Sequence, residues 1–244
     1  MGGELIVWPQ VILFGDSITQ FNYGNDGCWG ALLADQLVRK CDVVNRGFSG
    51  YNTRWNKVIL PRIIQKENAS NIAVFVLFLG ANDSNKAELN PMQHVPLTEF
   101  KENIIKMLEY LGSVGVGKEK IIIVSPPASD ESAWEVECIK KDRPQTKCNL
   151  MAGEYAEGCE EVAAKCGVTC VQLYKAMMKR PDWRNMLNDG LHLSREGSIF
   201  LHSMLEPLIE ECTSKLPYIL PGWASVDNTN PQASLLGSPY HEQI

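Results

Sequence analysis

Short apolar runs alternate along this chain with longer stretches whose apolar positions recur every three or four residues. These are the two periods expected of strands and helices. The first run spans about 11–14 and ends at Gly15. Leu32, Leu33, Leu37 and Val38 predict a helix over about 29–39, and Val43 and Val44 a second short strand closed by the turn-rich NRGFSGYN. Ile59, Ile63 and Ile64 outline one face of the next helix. Residues 72–79 are apolar at every position, which suits a central strand covered on both faces. Phe100, Ile104, Ile105, Leu108 and Leu111 stripe a helix over about 98–111. A fourth strand follows at 121–124, stopped by Pro126-Pro127. Next come a loop rich in charges and cysteine, a helix over about 150–165 and a fifth strand at 168–173. The last helix is predicted to start after Ser194, a good N-cap, and to run to about 212.

This succession is a βα unit repeated about five times. It predicts an α/β fold with an open parallel sheet of about five strands and helices on both faces. No internal repeat is visible, and residues 1–244 are expected to form a single domain. The Pro-, Gly- and Ser-bearing tail over 216–244 is expected to wrap the surface or to be partly disordered.

Composition narrows the function without naming it. With 244 residues, 45% of them hydrophobic, the chain can bury a full core. A formal net charge of -6 argues against a nucleic-acid partner, and no Lys/Arg cluster stands out. The apolar run at 72–79 is too short to span a bilayer. The first residues carry Glu4 and no basic segment, and their apolar stretch leads straight into the first strand, so they read as structure and not as an export signal. Ile6 breaks the myristoylation pattern. The eight cysteines are scattered without a CxxC pair and are read as free thiols in a reducing, cytoplasmic setting, where the Asn68 sequon is irrelevant.

Four loops hold candidate chemistry. GDSIT follows the first strand, where Gly15 allows a tight turn and Ser17 meets the cleft; alone, it is more often a simple turn. NRGFSGYNT follows the second strand, and Gly50 can turn an N–H toward a developing oxyanion. GANDS ends the central strand, with Asn82 aimed at the same oxyanion and Asp83 and Ser84 shaping the turn. NDGLHLS sets Asp189 three residues before His192, with Gly190 between them. Asp189 would orient the imidazole, whose Nε2 would take the Ser17 proton. His94, His202 and His241 have no comparable setting. No GxSxG elbow, HExxH zinc motif or phosphate-binding loop competes.

Together FGDSITQ, RGFSGYNTRW, FLGANDS and NDGLHLS resemble the four sequence blocks of the SGNH/GDSL hydrolase family, in the right order from Gly15 to His192. A closer resemblance, to a subfamily of isoamyl acetate-hydrolysing esterase homologues, covers nearly the whole chain. The family resemblance implies a three-layer α/β/α, flavodoxin-like fold. It implies Ser17 as nucleophile and backbone oxyanion donor, Gly50 and Asn82 as the other donors, His192 as general base and Asp189 as its orienting acid. Ile18 departs from the Leu of the family's name, a conservative change. A small-molecule ester is the implied partner, with no metal or organic cofactor.

Short-chain ester hydrolysis is what the closer resemblance implies. Phe21, Trp29, Phe48 and Tyr51 are candidates for an apolar cleft lining, although core packing explains Trp29 at least as well. The alternatives are a lysophospholipase or acyl-CoA thioesterase with the same residues, which a basic patch near the cleft would favour, and a non-catalytic module on the same scaffold. No such patch is expected from the residues.

Overall fold

A computed structural model describes residues 5–237 together with 240 and 241. The chain opens with β1 (Gln10–Gly15), the single-turn α1 (Ser17–Gln20) and α2 (Trp29–Gln36). It continues through β2 (Asp42–Gly47), α3 (Thr53–Ile63), α4 (Lys66–Ala69) and β3 (Ile72–Phe78). Next are α5 (Leu97–Ser113), β4 (Ile121–Val124), α6 (Glu131–Lys140), α7 (Asn149–Cys166), β5 (Thr169–Val171), α8 (Leu173–Met178) and α9 (Arg195–Thr213). Beyond α9 lie β6 (Tyr218–Ile219), α10 (Pro231–Leu235) and β7 (Tyr240–His241).

The main sheet has the order β2-β1-β3-β4-β5, and every neighbouring pair in it is parallel. Strand geometry sends successive side chains to opposite faces, and the apolar runs therefore build two cores at once. Val11, Leu13, Val74, Val76 and Val124 enter the core shared with α2 and α9. Ile12, Phe14, Phe75, Leu77 and Ile123 enter the core shared with α3, α5 and α7. This is the predicted three-layer α/β/α arrangement.

Three local expectations change. The helix at 29 ends at Gln36, because Arg39 takes a left-handed backbone (φ 65) and leaves Val38 exposed. On α3 the fully buried apolar residue is Leu60, with Ile59 and Ile63 only partly covered. The stretch after Pro127 is not all loop. Asp130 accepts hydrogen bonds from Ser132 N and Ala133 N and starts α6. In the tail, Ile219 is buried, its N–H donates to Arg39 O at 2.8 Å, and β6 pairs antiparallel with β7. The parts of the predicted tail at 238–239 and 242–244, and residues 1–4, lie outside the described residues.

Candidate functional site

In open parallel sheets the loops at the carboxyl ends of the strands meet around the switch in strand order, here between β1 and β3. Ser17 is the first residue of α1, directly after β1, and Asp16 caps that turn by accepting from Ile18 N at 2.9 Å. Ser17 Oγ lies 2.9 Å from His192 Nε2, although the two are 175 positions apart. His192 Nδ1 lies 2.6 Å from Asp189 Oδ2. Serine, imidazole and carboxylate thus form one continuous hydrogen-bonded line.

The loop that carries the last two is shaped by its own carboxylate. Asp189 Oδ1 accepts from Leu191 N at 2.9 Å and from His192 N at 2.8 Å. Gly190 has φ +91, and a Cβ there would come within 2.5 Å of Asp130 O and Trp134 N. Glycine alone lets this loop lie against the start of α6. Burial pushes the Asp189 carboxyl upward, but the hydrogen bond and charge of His192, with the two backbone donors, outweigh it and hold it below its ordinary value.

Gly50 and Asn82 arrive from the two other loops. Gly50 has φ +80, its carbonyl accepts from Gln93 Nε2 at 2.7 Å, and its N–H meets no protein acceptor among the described residues. Asn82 Nδ2 donates to Tyr51 O at 2.9 Å, which leaves its second hydrogen without a protein acceptor among the described residues. Ser17, Gly50, Asn82 and His192 all line one cavity of about 460 Å³. All five candidate residues therefore converge. Gln93, which ties down Gly50 and also accepts from Asn85 and Asn90, was not singled out from the sequence, since a Gln in a polar loop carries no signal of its own.

Beneath this line lies a layer of buried charge. Asp83 is fully buried and accepts from both the backbone and the hydroxyl of Thr53, while its Oδ2 has no partner. Burial raises it to about 7. Burial likewise raises Asp16 to about 6 and lowers Lys147 to about 8. Lys147 Nζ donates to Ala81 O.

The cleft lining departs from expectation in two ways. Of the four aromatics proposed for it, only Phe21 lines the cavity, with its ring 6.1 Å from the His192 ring. Trp29 is fully buried and donates to Ile18 O at 3.2 Å, while Phe48 stacks on Tyr51 outside the cavity. Trp134 of α6 lines the cavity instead, 6.0 Å from the His192 ring and edge to face with it. The second departure is electrostatic. Lys141, Arg143 and Lys147 all line the cavity, so a basic patch does border the cleft. The sequence run KKDRPQTK held the cluster, but nothing in its periodicity tied it to the site. The remaining described histidines lie elsewhere. His94 Nδ1 contacts Asn85 O at 2.8 Å and His202 sits on α9, while the side chain of His241 is outside the described residues.

Residues 13–198 match the model of the GDSL-like lipase/acylhydrolase family. The chain is 50% identical over 241 residues to the isoamyl acetate-hydrolyzing esterase 1 homolog of Rattus norvegicus, covering 98% of this chain and 96% of that protein. It is 49% identical to the Homo sapiens homolog, with the same two coverages. Among solved structures, the lipase/acylhydrolase from Enterococcus faecalis superposes with a TM-score of 0.65 at 24% identity, covering 87% of this chain and all of that one. An acetyl-xylooligosaccharide esterase from a Geobacillus species gives a TM-score of 0.63 at 18% identity, over 84% and 96% of the two chains, and shares the fold. The chain belongs to the GDSL-like lipase/acylhydrolase family.

Proposed function

We propose that this chain is a serine esterase of short-chain carboxylic esters that works through an acyl-enzyme on Ser17. The observation that carries the reading is the line Ser17 Oγ–His192 Nε2 at 2.9 Å and His192 Nδ1–Asp189 at 2.6 Å, set beside Gly50 and Asn82 on one cavity. The Asp189 carboxylate accepts a hydrogen bond from Nδ1–H and leaves Nε2 as the base. Ser17 Oγ attacks the ester carbonyl carbon as its proton passes to Nε2. The resulting oxyanion accepts from the Ser17 and Gly50 N–H groups and the free hydrogen of Asn82. His192 returns the proton to the leaving alcohol as the C–O bond breaks. A water deprotonated by His192 then releases the acid and restores Ser17.

The cavity supports a short chain: its volume suits a small ligand, and its walls mix Phe21, Leu89 and Trp134 with polar groups. The relatives' name, with its acetate ester, supports the same substrate class. The basic wall favours one second reading, a lysophospholipase or acyl-CoA thioesterase using the same residues. All eight cysteines are unpaired, which supports a reducing, cytoplasmic setting. Among the described residues no helix is long and apolar enough to cross a membrane.

The test is turnover of p-nitrophenyl esters from acetate to laurate, with Ser17→Ala in parallel. The expected result is a rate maximum at short chains and a loss of at least about 10⁴-fold in kcat in the variant. A long-chain maximum favours the second reading. A Ser17→Ala protein with normal turnover refutes both.

A further inference from the structure

Two cavities flank the Ser17–His192 pair, and they carry opposite charge. Among the described residues the smaller, about 250 Å³, is lined by Asp26 and Asp189 and by no lysine or arginine. The larger, about 460 Å³, is lined by Lys141, Arg143 and Lys147 and, among the described residues, by no carboxylate. In a chain of net charge -6 this concentration of cations runs against the overall balance.

The three cations are not equivalent. Lys147 is buried, and its Nζ donates to Ala81 O. Lys141 stands 3.9 Å from Glu137. Arg143 has no ion pair and no side-chain hydrogen bond among the described residues. Its guanidinium carbon sits 4.8 Å from the centre of the Trp134 ring, and that ring lies 6.0 Å from the His192 imidazole. A guanidinium beside an aromatic ring keeps its N–H donors, and their planar fork can grip a carboxylate or phosphate with two parallel bonds. The indole Nε1 of Trp134 is itself buried and unpartnered.

We propose that the larger cavity takes esters bearing a carboxylate or phosphate a few bonds from the scissile carbonyl, held edge-on by Arg143 against Trp134. The proposal deepens the esterase reading and rests on it. Trp134 acts as the spacer between the reacting centre and the anion, and Lys141 adds a second positive charge at the cavity wall. The acidic cavity on the other side of Ser17 repels the same group and so fixes which way the substrate lies.

The test compares kcat/KM for two matched pairs of esters. One pair is mono-4-nitrophenyl glutarate against uncharged 4-nitrophenyl pentanoate; the other is 3-acetoxypropyl phosphate against butyl acetate. The expected result is a preference of about tenfold or more for the anionic member of at least one pair. That preference should collapse in Arg143→Gln, fall partway in Arg143→Lys and persist in Lys66→Gln, a control on the exposed α4. It should also shrink from ~0.01 M to ~1 M salt as screening shortens. Preference in the glutarate pair alone assigns a carboxylate on the acyl side, and in the phosphate pair alone a phosphate on the alcohol side. Turnover of the neutral esters with no anionic preference, or a preference that survives Arg143→Gln, overturns the inference and leaves the esterase reading standing. Calorimetry of glutarate and of propyl phosphate binding to the Ser17→Ala protein gives a readout free of turnover. Binding of either one weakened about tenfold or more by adding Arg143→Gln supports the anion site, and unchanged binding of both refutes it.

Discussion

Asp189 and Asp83 are carboxyls on two loops of the same cleft, yet their environments drive them in opposite directions. Asp189 faces three N–H groups, one of them on an imidazole, and stays below its ordinary value. Asp83 has only Thr53 for a donor, keeps one oxygen without a partner and rises to about 7. Burial wins at Asp83, which is fully buried and has a single donor residue, whereas at the less buried Asp189 the donors outweigh it. The contrast separates the two layers of the site. The upper line is built to hold a fixed charge against a base. In the lower layer Asp83 ties its loop to Thr53 and Lys147 ties its own to Ala81 O, while Asp16 caps the turn that carries Ser17.

Substitutions can break this comparison, and the largest effect is expected at Asp189. Asp189→Asn keeps the shape but allows the wrong imidazole tautomer, and kcat should fall by about 10³–10⁴-fold with the fold intact by circular dichroism. Near-normal kcat would show that the charge of Asp189 is not what orients His192. A smaller loss is expected at the third loop. Asn82→Ala removes one proposed oxyanion donor and should lower kcat by about 10²–10³-fold with little change in KM. A change confined to KM would instead make Asn82 a contact of the bound ester.

The smallest effect on catalysis, and the clearest on pH dependence, is expected at Asp83. Its folded pKa of about 7 lies above the ordinary 3.8, so the folded protein holds a proton that the unfolded chain has already released. The stability tied to that proton is fully present below about pH 4 and is lost as pH rises toward 7. Asp83→Asn cannot lose it. The stability advantage of wild type over the variant, measured by urea unfolding, should therefore shrink by a few kcal/mol between ~pH 4 and ~pH 7.5. kcat should stay within about threefold, because Asn still offers Thr53 an acceptor. A difference in stability that is flat with pH would show that Asp83 is ionised throughout.

Much of this architecture was legible because its signals are local. A strand apolar at every position, such as Ile72–Phe78, admits one reading: a central place with a core on each side. Ser194 as an N-cap and the GDS and DxxH loops are equally short-range. Helix α6 escaped because Val136 and Ile139 are exposed while Trp134 and Cys138 are buried, so its apolar residues follow no single stripe. With α6 unseen, Trp134 was unseen too. The aromatics chosen for the cleft failed for a related reason. Sequence places Phe48 and Tyr51 in a cleft loop, but only packing turns them onto each other and away from the cavity.

The sequence by itself determined the order of the five main strands and their parallel sheet, and four loop motifs taken together marked Ser17, Gly50, Asn82, Asp189 and His192 as candidates. The strands rest on residue type within a few positions, and the candidates on the joint resemblance of the loops. Tertiary structure decided what lies across from them. It set Gly190 against the start of α6, brought the basic run at 141–147 to the cleft wall, and left Asp83 dry beneath it. Burial and the charges of distant segments are properties of the assembled chain, and no local pattern encodes them.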